Sequence, residues 1–404
     1  MKLGNLLIRT CILAATCLNQ HTHANQDARK TIILGGIQYT KIGEGCAHAL
    51  VFRGERSDTR PENHVDIEGE ELTVTDLTFE RNYHRTVSEV NILIPSSVTT
   101  ITNDDPSLPR AIIMFESGSK LTKIERFTFC NTQISKIRIP ASVRLIDHGC
   151  FSGCHNLREI IFEEGSNITS INVSEFRKCT ELKEICIPKF VQILRAYCFS
   201  ECEKLEHVEF KTIHSLVISD YAFFKCPNLK SVDIPNGAKR LGLGCFSWSG
   251  LEKITFGEDS RLKFIDEGAF WNCNLGQINI PSNVEEIGER CFGQCKELEH
   301  VTFAPNSKLK KIGQMAFAYC DKLTQITFPA SVTSLPRHCF ALCKNLQSIT
   351  FESCEPISID FRALIGCPSL TKIFAPAGVT VVNKMRCRNV FRINCNDDKL
   401  IFEK

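Results

Sequence analysis

The sequence lacks a charge imbalance, a late hydrophobic run and the common catalytic motifs. Its 48 Lys and Arg residues face 46 Asp and Glu residues, which leaves a net charge of +2. That balance provides no electrostatic surface for nucleic acid and no polybasic patch for membranes. No stretch after residue 24 is apolar enough to span a bilayer, and G-x-S-x-G, H-E-x-x-H, P-loop and G-x-G-x-x-G motifs are absent. We therefore expect no enzyme, no cofactor, no transmembrane span and no nucleic-acid partner.

Tryptophan and tyrosine are scarce, with 2 Trp and 5 Tyr, whereas the chain has 27 Phe. From residue 129 onward a Phe returns at one position of a repeat, which we call the anchor. The anchors are Phe129, Phe151, Phe176, Phe199, Phe223, Phe246, Phe270, Phe292, Phe317 and Phe340, with Leu364 in the eleventh place. The ten intervals span 235 residues, a mean period of 23.5 residues. Repeats of about 20–29 residues are typical of leucine-rich solenoids.

Each copy reads F-x-x-C-x-x-L-x-x-I-x-I/F, often followed by Pro and then V/L-x-x-I. The L-x-x-I-x-I part has the period-two alternation of a short strand, as in 182–187. Prolines such as Pro188 follow the strand, where a ladder N–H is not required. One copy cannot bury its own apolar residues, but stacked copies share a core. The sequence predicts an α/β repeat solenoid, a leucine-rich-repeat horseshoe or arc with a parallel β-sheet.

The N-terminus has the layout of a secretory signal peptide. Lys2 and Arg9 precede an apolar run over 10–18, and 22–24 (Thr-His-Ala) provides a small-residue cleavage site. A lipid-modified Cys17 or an ordinary frayed terminus are the alternatives. We predict a signal peptide over residues 1–24 and a secreted or cell-surface protein.

The flanks of the array depart from the repeat. Residues 25–115 contain strand-like stretches and a degenerate first repeat with the strand-Pro half at 92–101. We predict an N-terminal β cap over 25–115, repeats over 116–376 and a short C-terminal cap over 377–404. Caps are expected because an open solenoid end exposes core and strand edges.

The phrase A/C-F-x-x-C-x-x-L-x-x-I-x-I-P-x-x-V-x-x-I, clearest over 316–335, resembles the BspA-type (treponemal-type) leucine-rich repeat. The resemblance covers about residues 92–376. It implies a solenoid surface protein, and the family is associated with adhesion to host proteins and other cells and with antigenicity. It supplies no catalytic residues. Ser249 departs from the pattern, since it replaces the turn cysteine.

The 22 cysteines fall mostly at one repeat position, three residues after the anchor. Parallel side chains on successive strands approach disulfide distance without converging, so we predict a column of buried free thiols. C-x-x-x-C pairs lack further ligands at matching spacing, and we expect no metal. Outside the repeats, Cys387 and Cys395 are candidates for a disulfide in the C-terminal cap.

The outward-facing position in the middle of each strand forms a column that need not specify the fold, so its residues are free to serve a partner. We predict a ligand-binding column there, because its second half is poor in charge and rich in hydroxyls, which suits protein or carbohydrate better than phosphate. The candidate residues are Ile161, Glu209, Asp233, Thr255, Asn279, Thr302, Thr327 and Thr350.

The sequence therefore favours protein–protein binding or adhesion, with a protein or glycan on host or neighbouring cells as partner. The alternative is a structural envelope or coat component without a specific ligand. The oligomeric state is left open by the sequence.

Overall fold

The computed structural model describes residues 31–34, 37–43, 46–51, 58–59, 64–67, 70–79, 90–103, 111–212, 215–375, 379–382 and 400–401. These residues form strands and turns, and they hold no helix able to cross a bilayer. The signal peptide predicted over 1–24, together with Cys17, lies outside the described residues.

The repeats form a stack of rungs, in which each rung is one repeat with a long strand, a short strand and a turn ribbon around the anchor. The strands before the first anchor are β1 (Thr31–Leu34), β2 (Ile37–Gly43), β3 (Cys46–Val51), β4 (Asp58–Thr59), β5 (His64–Ile67), β6 (Glu70–Phe79), β7 (Val90–Ile94), β8 (Thr100–Asn103), β9 (Ala111–Phe115) and β10 (Lys123–Ile124). The first half of the array contains β11 (Ile134–Ile139), β12 (Leu145–Ile146), β13 (Glu159–Phe162), β14 (Ser170–Ile171), β15 (Glu184–Ile187), β16 (Ile193–Leu194), β17 (His207–Phe210), β18 (Leu216–Ile218), β19 (Ser231–Ile234) and β20 (Ala238–Leu241). The second half contains β21 (Lys253–Phe256), β22 (Phe264–Ile265), β23 (Gln277–Ile280), β24 (Glu286–Ile287), β25 (His300–Phe303), β26 (Lys311–Ile312), β27 (Gln325–Phe328), β28 (Ser334–Leu335), β29 (Ser348–Phe351), β30 (Ile357–Asp360), β31 (Lys372–Phe374), β32 (Val379–Val382) and β33 (Leu400–Ile401).

The anchors form the centre of the core, as predicted. All ten Phe anchors are fully buried. Consecutive rings stack with centroids 5.2–5.7 Å apart and planes within 16° of each other. Buried Leu and Ile residues of the strands complete the core on either side of the stack. Each ring thus contacts the rungs before and after it, which explains why the repeats form a continuous array.

The helical part of the predicted α/β class is not found in the described residues, because the F-x-x-C segment forms a ribbon of turns. The N–H of Phe223 donates to the carbonyl of Cys245 in the next rung at 2.7 Å, whereas Ala222 and Phe224 donate three residues back, to Ser219 and Tyr221. In ten rungs the residues two before and two after the anchor have positive φ. A left-handed residue every fourth position prevents a continuous right-handed helix.

The long strands do not form one continuous sheet. They pair as β15–β17, β19–β21 and β23–β25, while β9–β11–β13 and β27–β29–β31 form longer groups. A proline follows the first strand of each later group, at Pro188, Pro235, Pro281 and Pro329. Inside a pair the equivalent residue donates its N–H across, as Lys211 does to the carbonyl of Ile187 at 3.1 Å. Proline has no N–H to donate, so the ladder is interrupted there.

The flanking strands continue the sheets of the array. Strands β1, β2 and β3 pair antiparallel in sequence, and β3 joins the short-strand sheet through parallel pairing with β6 and then β8. At the other end, β32 extends the short-strand sheet beside β30, and β33 pairs antiparallel with β31. The domain boundaries at residues 24, 115 and 376, and the capping role of the flanks, remain predictions.

Candidate functional site

The long strands present three outward rows of side chains, which we call the strand face. The middle row contains every residue of the predicted binding column, and the ladders place neighbouring members in register, for example Asp233 beside Thr255, Asn279 beside Thr302 and Thr327 beside Thr350. The members are Ile161, Thr255 and Thr350, which are half-buried, and Glu209, Asp233, Asn279, Thr302 and Thr327, which are exposed. The structure thus brings the predicted residues onto one surface.

Neighbouring polar residues of the middle row bind one another across the rungs. The hydroxyl of Thr302 donates to the side-chain oxygen of Asn279 at 3.1 Å, and Thr255 donates to the carboxylate of Asp233. These contacts are solvent-exposed, so a partner can exchange them for its own hydrogen bonds at little cost. The row therefore offers donors and acceptors already held in a fixed direction.

Clefts open on the strand face where the ladder is interrupted. The first cleft lies between β13 and β15 and has a volume of about 1030 Å³. The second lies between β21 and β23, with about 430 Å³, and the third between β25 and β27, with about 530 Å³. The sequence shows the prolines but not these clefts, because a cleft requires two neighbouring rungs to separate where one of them lacks the donor.

The clefts differ in charge. The first cleft is lined by five carboxylates (Glu159, Glu163, Glu164, Glu184, Glu209) and three cationic residues (Arg138, Lys189, Lys211), with His207 beside them. The second cleft is lined by Lys253 and Glu258 as its charged residues, and the third by Glu352, with His300 reaching both. The strand face is consequently charged toward its N-terminal end and nearly neutral toward its C-terminal end.

The turn cysteines have a role that the sequence interpretation missed. Each buried thiol donates to the carbonyl of the anchor in the preceding rung, over 2.8–3.2 Å. Ser249 and Thr132 occupy the same repeat position, and the Thr132 hydroxyl also donates to an anchor carbonyl, that of Phe129, at 2.7 Å. The shared property of Cys, Ser and Thr is a small side chain with a donor, which is the signal that could have revealed this contact.

These thiols are chemically quiet. All 17 described cysteines are free, which confirms the predicted free-thiol column. Burial raises the pKa of Cys154, Cys226 and Cys273 to about 12. Thiolate is the reactive form of cysteine, so these side chains are not candidates for nucleophilic chemistry.

One buried carboxyl interrupts the core. Glu175 precedes the anchor Phe176, at a position held by cysteine in the adjacent rungs and by alanine in several later ones. Its side chain is 1 % exposed, and neither carboxylate oxygen has a hydrogen-bond partner. Burial, with a smaller contribution from Asp147, raises the pKa of Glu175 well above its usual value. The carboxyl is therefore protonated in the folded chain over a range in which an exposed glutamate is ionised.

No cluster of three or more His, Cys, Asp or Glu side chains suited to a metal ion occurs among the described residues. His207 and His300, at one repeat position, lie on strands four rungs apart. The predicted disulfide partners Cys387 and Cys395 lie outside the described residues.

Comparison with known proteins identifies the repeat. A family model described as BspA type leucine rich repeat region (6 copies) matches residues 79–206, 164–273 and 263–392. No match was found among curated proteins.

Solved structures share the fold. A leucine-rich repeat protein from Bacteroides ovatus ATCC 8483 is 20 % identical with a TM-score of 0.56, over 87 % of this chain and 100 % of that chain. The pneumococcal vaccine antigen PcpA is 18 % identical with a TM-score of 0.48, over 88 % and 99 %. A leucine rich cell surface protein from Faecalibacterium prausnitzii A2-165 is 19 % identical with a TM-score of 0.41, over 89 % and 97 %. Because the family model covers well over half of the chain and falls on the residues that form the stacked rungs, the chain belongs to the BspA-type leucine-rich repeat family.

Proposed function

We propose that this protein acts outside the cell, secreted or on the cell surface, and binds a protein of a host or neighbouring cell through its strand face. The observation that carries the proposal is the in-register row of exposed polar side chains beside clefts on that face. Leucine-rich repeat folds suit protein binding, and the comparisons indicate no catalytic family. The signal-peptide layout at residues 1–24 supports export.

The neutral half of the row supports a protein partner more than a phosphate-bearing one. Thr302, Thr327 and Thr350 carry hydroxyl groups and no charge. A polar, weakly charged surface next to shallow clefts has the composition of an ordinary protein interface, in which hydrogen bonds and trapped water accompany apolar contacts. A glycan chain would use the same hydroxyls and is the narrower version of the proposal.

A double substitution of the row tests the proposal. Because both side chains are exposed, Thr302→Lys with Thr327→Lys should change the free energy of unfolding by about 0.5 kcal/mol or less per site. A partner docked there would have to desolvate two unpaired ammonium groups. We expect binding to a partner selected from a host-protein array to fall by about tenfold or more, equal to about 1.4 kcal/mol, with an unchanged melting temperature.

The matched control adds the same two charges away from the strand face. Gln314 lies at the start of a turn ribbon and Ser334 lies on a short strand, and both are exposed. Gln314→Lys with Ser334→Lys should bind like the parent. Equal binding by the row variant and the control would remove the row from the interface. Failure of the parent to retain any protein on the array would favour the alternative of a structural coat component.

A further inference from the structure

We infer that the first cleft is an anchoring site for a protein segment in which an apolar side chain is flanked by basic ones. This inference deepens the proposed function, on which it rests, by naming the kind of segment that the N-terminal end of the strand face recognises. It concerns residues that the neutral row does not include, and its test is separate from that of the row.

The floor of the first cleft is apolar. Ile161, Phe162, Cys186 and Phe190 are half-buried there, and Pro188 is buried beside them. The interruption of the ladder at Pro188 separates β13 from β15, so these side chains face a space of about 1030 Å³ rather than a neighbouring strand. A partner side chain such as Leu would remove this apolar surface from water, at about 25 cal/mol per Å².

Cys186 forms part of the floor without offering reactive chemistry. Burial raises the pKa of its thiol, and the Glu209 side chain raises that pKa further. The thiol thus stays protonated at neutral pH and acts as a small apolar contact. This excludes covalent capture of a partner as the purpose of the cleft.

The rim of the first cleft favours positive charge. Among its five carboxylates, Glu159 is paired with Lys136 at 2.7 Å, and Glu163 accepts a hydrogen bond from the Ala141 N–H at 3.2 Å. Glu184 and Glu209 are exposed on adjacent, register-paired rungs, at either side of the floor residue Cys186. Two cationic side chains spaced around one apolar side chain could meet these carboxylates while the apolar one enters the floor.

The cationic residues of the cleft do not cancel this preference. Lys189 lies over the ring of Phe190, 5.7 Å from its centroid, and Arg138 and Lys211 are exposed at opposite ends of the lining. With five carboxylates against three cations, the lining carries a net negative charge, while the whole chain is slightly positive. Complementary charge at the rim of an interface mainly directs partner choice and association.

Three defined peptides test the inference. Each has a central Leu flanked on both sides by Lys, by Glu or by Gln, and is displayed in four copies on streptavidin so that weak binding is measurable. By biolayer interferometry, the Lys-flanked peptide should bind the full chain at least about fivefold more tightly than the Glu-flanked one, and this preference should shrink at high salt. Absence of binding by the Lys-flanked peptide, or equal binding of both charged peptides, would overturn the inference.

Variants locate the site. Because Glu184 and Glu209 are exposed, E184Q with E209Q should fold normally and reduce binding of the Lys-flanked peptide by about three- to tenfold. The matched control, E297Q with E299Q, removes two carboxylates that are also exposed but lie near Lys322, outside the first cleft. A control that loses as much binding as the cleft variant would show that the peptide senses only overall charge.

Failure of this inference is distinguishable from failure of the proposed function. Thr302→Lys with Thr327→Lys should leave peptide binding unchanged, because those residues do not line the first cleft. Loss of partner binding in that variant, without any peptide binding, would keep the proposed function and reject the cleft. Peptide binding with no effect of the Thr substitutions on the partner would keep the cleft and reject the row.

Discussion

Replacing Phe223 by alanine should lower the free energy of unfolding by about 3–5 kcal/mol. The ring is fully buried and stacks on Phe199 at 5.3 Å and on Phe246 at 5.2 Å. The backbone on both sides is held by hydrogen bonds to the next rung, so the neighbouring rungs can collapse only partly into the space left behind. Urea denaturation followed by far-ultraviolet circular dichroism measures the change.

An exposed phenylalanine provides the control for this prediction. Phe264 is 38 % exposed on a short strand and does not belong to the anchor stack. Phe264→Ala should cost less than about 1 kcal/mol. Similar, small losses at Phe223 and Phe264 would show that the anchors do not form the core. A repeat protein can unfold in segments, so the whole denaturation curve, and not the midpoint alone, should be compared.

Replacing Glu175 by glutamine should stabilise the protein at alkaline pH and have little effect at acidic pH. The folded chain holds the pKa of Glu175 above its usual value through burial, while in the unfolded chain the carboxyl ionises near 4.5. Folding is therefore unopposed by this group below pH 4.5, and stability is lost as the pH rises from there through the folded-state pKa. We expect the advantage of E175Q to grow by about 1–3 kcal/mol between pH 4 and pH 8.

The matched control for this prediction is Glu184→Gln, which makes the same chemical change at an exposed position. Its stability should follow the parent across the pH range. Chemical denaturation at several pH values gives both curves. A constant difference between E175Q and the parent at all pH values would contradict the buried, protonated carboxyl.

The sequence predicted those parts of the fold that depend on local periodicity. The anchor spacing and the period-two strands depend on side-chain direction within one repeat, so the buried Phe stack and the exposed row at Thr302 and Thr327 could be foreseen. The turn ribbon was less accessible. Its left-handed residues include Tyr221 and Lys225, whose side chains give no hint of a positive φ.

Features that require two neighbouring rungs could not be predicted from one repeat. Pro188 was interpreted as the end of a strand, whereas its missing N–H also separates β15 from β13 and opens the first cleft. The thiol of Cys226 donates to the carbonyl of Phe199, 27 residues earlier, and no local pattern encodes that partner. Glu175 was visible as a departure from Cys and Ala, but its burial follows only from the stacked rungs.

Hydroxyl-radical footprinting of a complex with a selected partner tests most directly whether the strand face is the binding surface. Ile161 and His300 report on that face, whereas Tyr221 and Trp248, the latter 50 % exposed, report on the turn ribbon. Complex formation should reduce oxidation of Ile161 and His300 and leave Tyr221 and Trp248 unchanged. Protection of Tyr221 and Trp248, with Ile161 and His300 oxidised as in the free protein, would place the partner on the turn ribbon and contradict the proposed function.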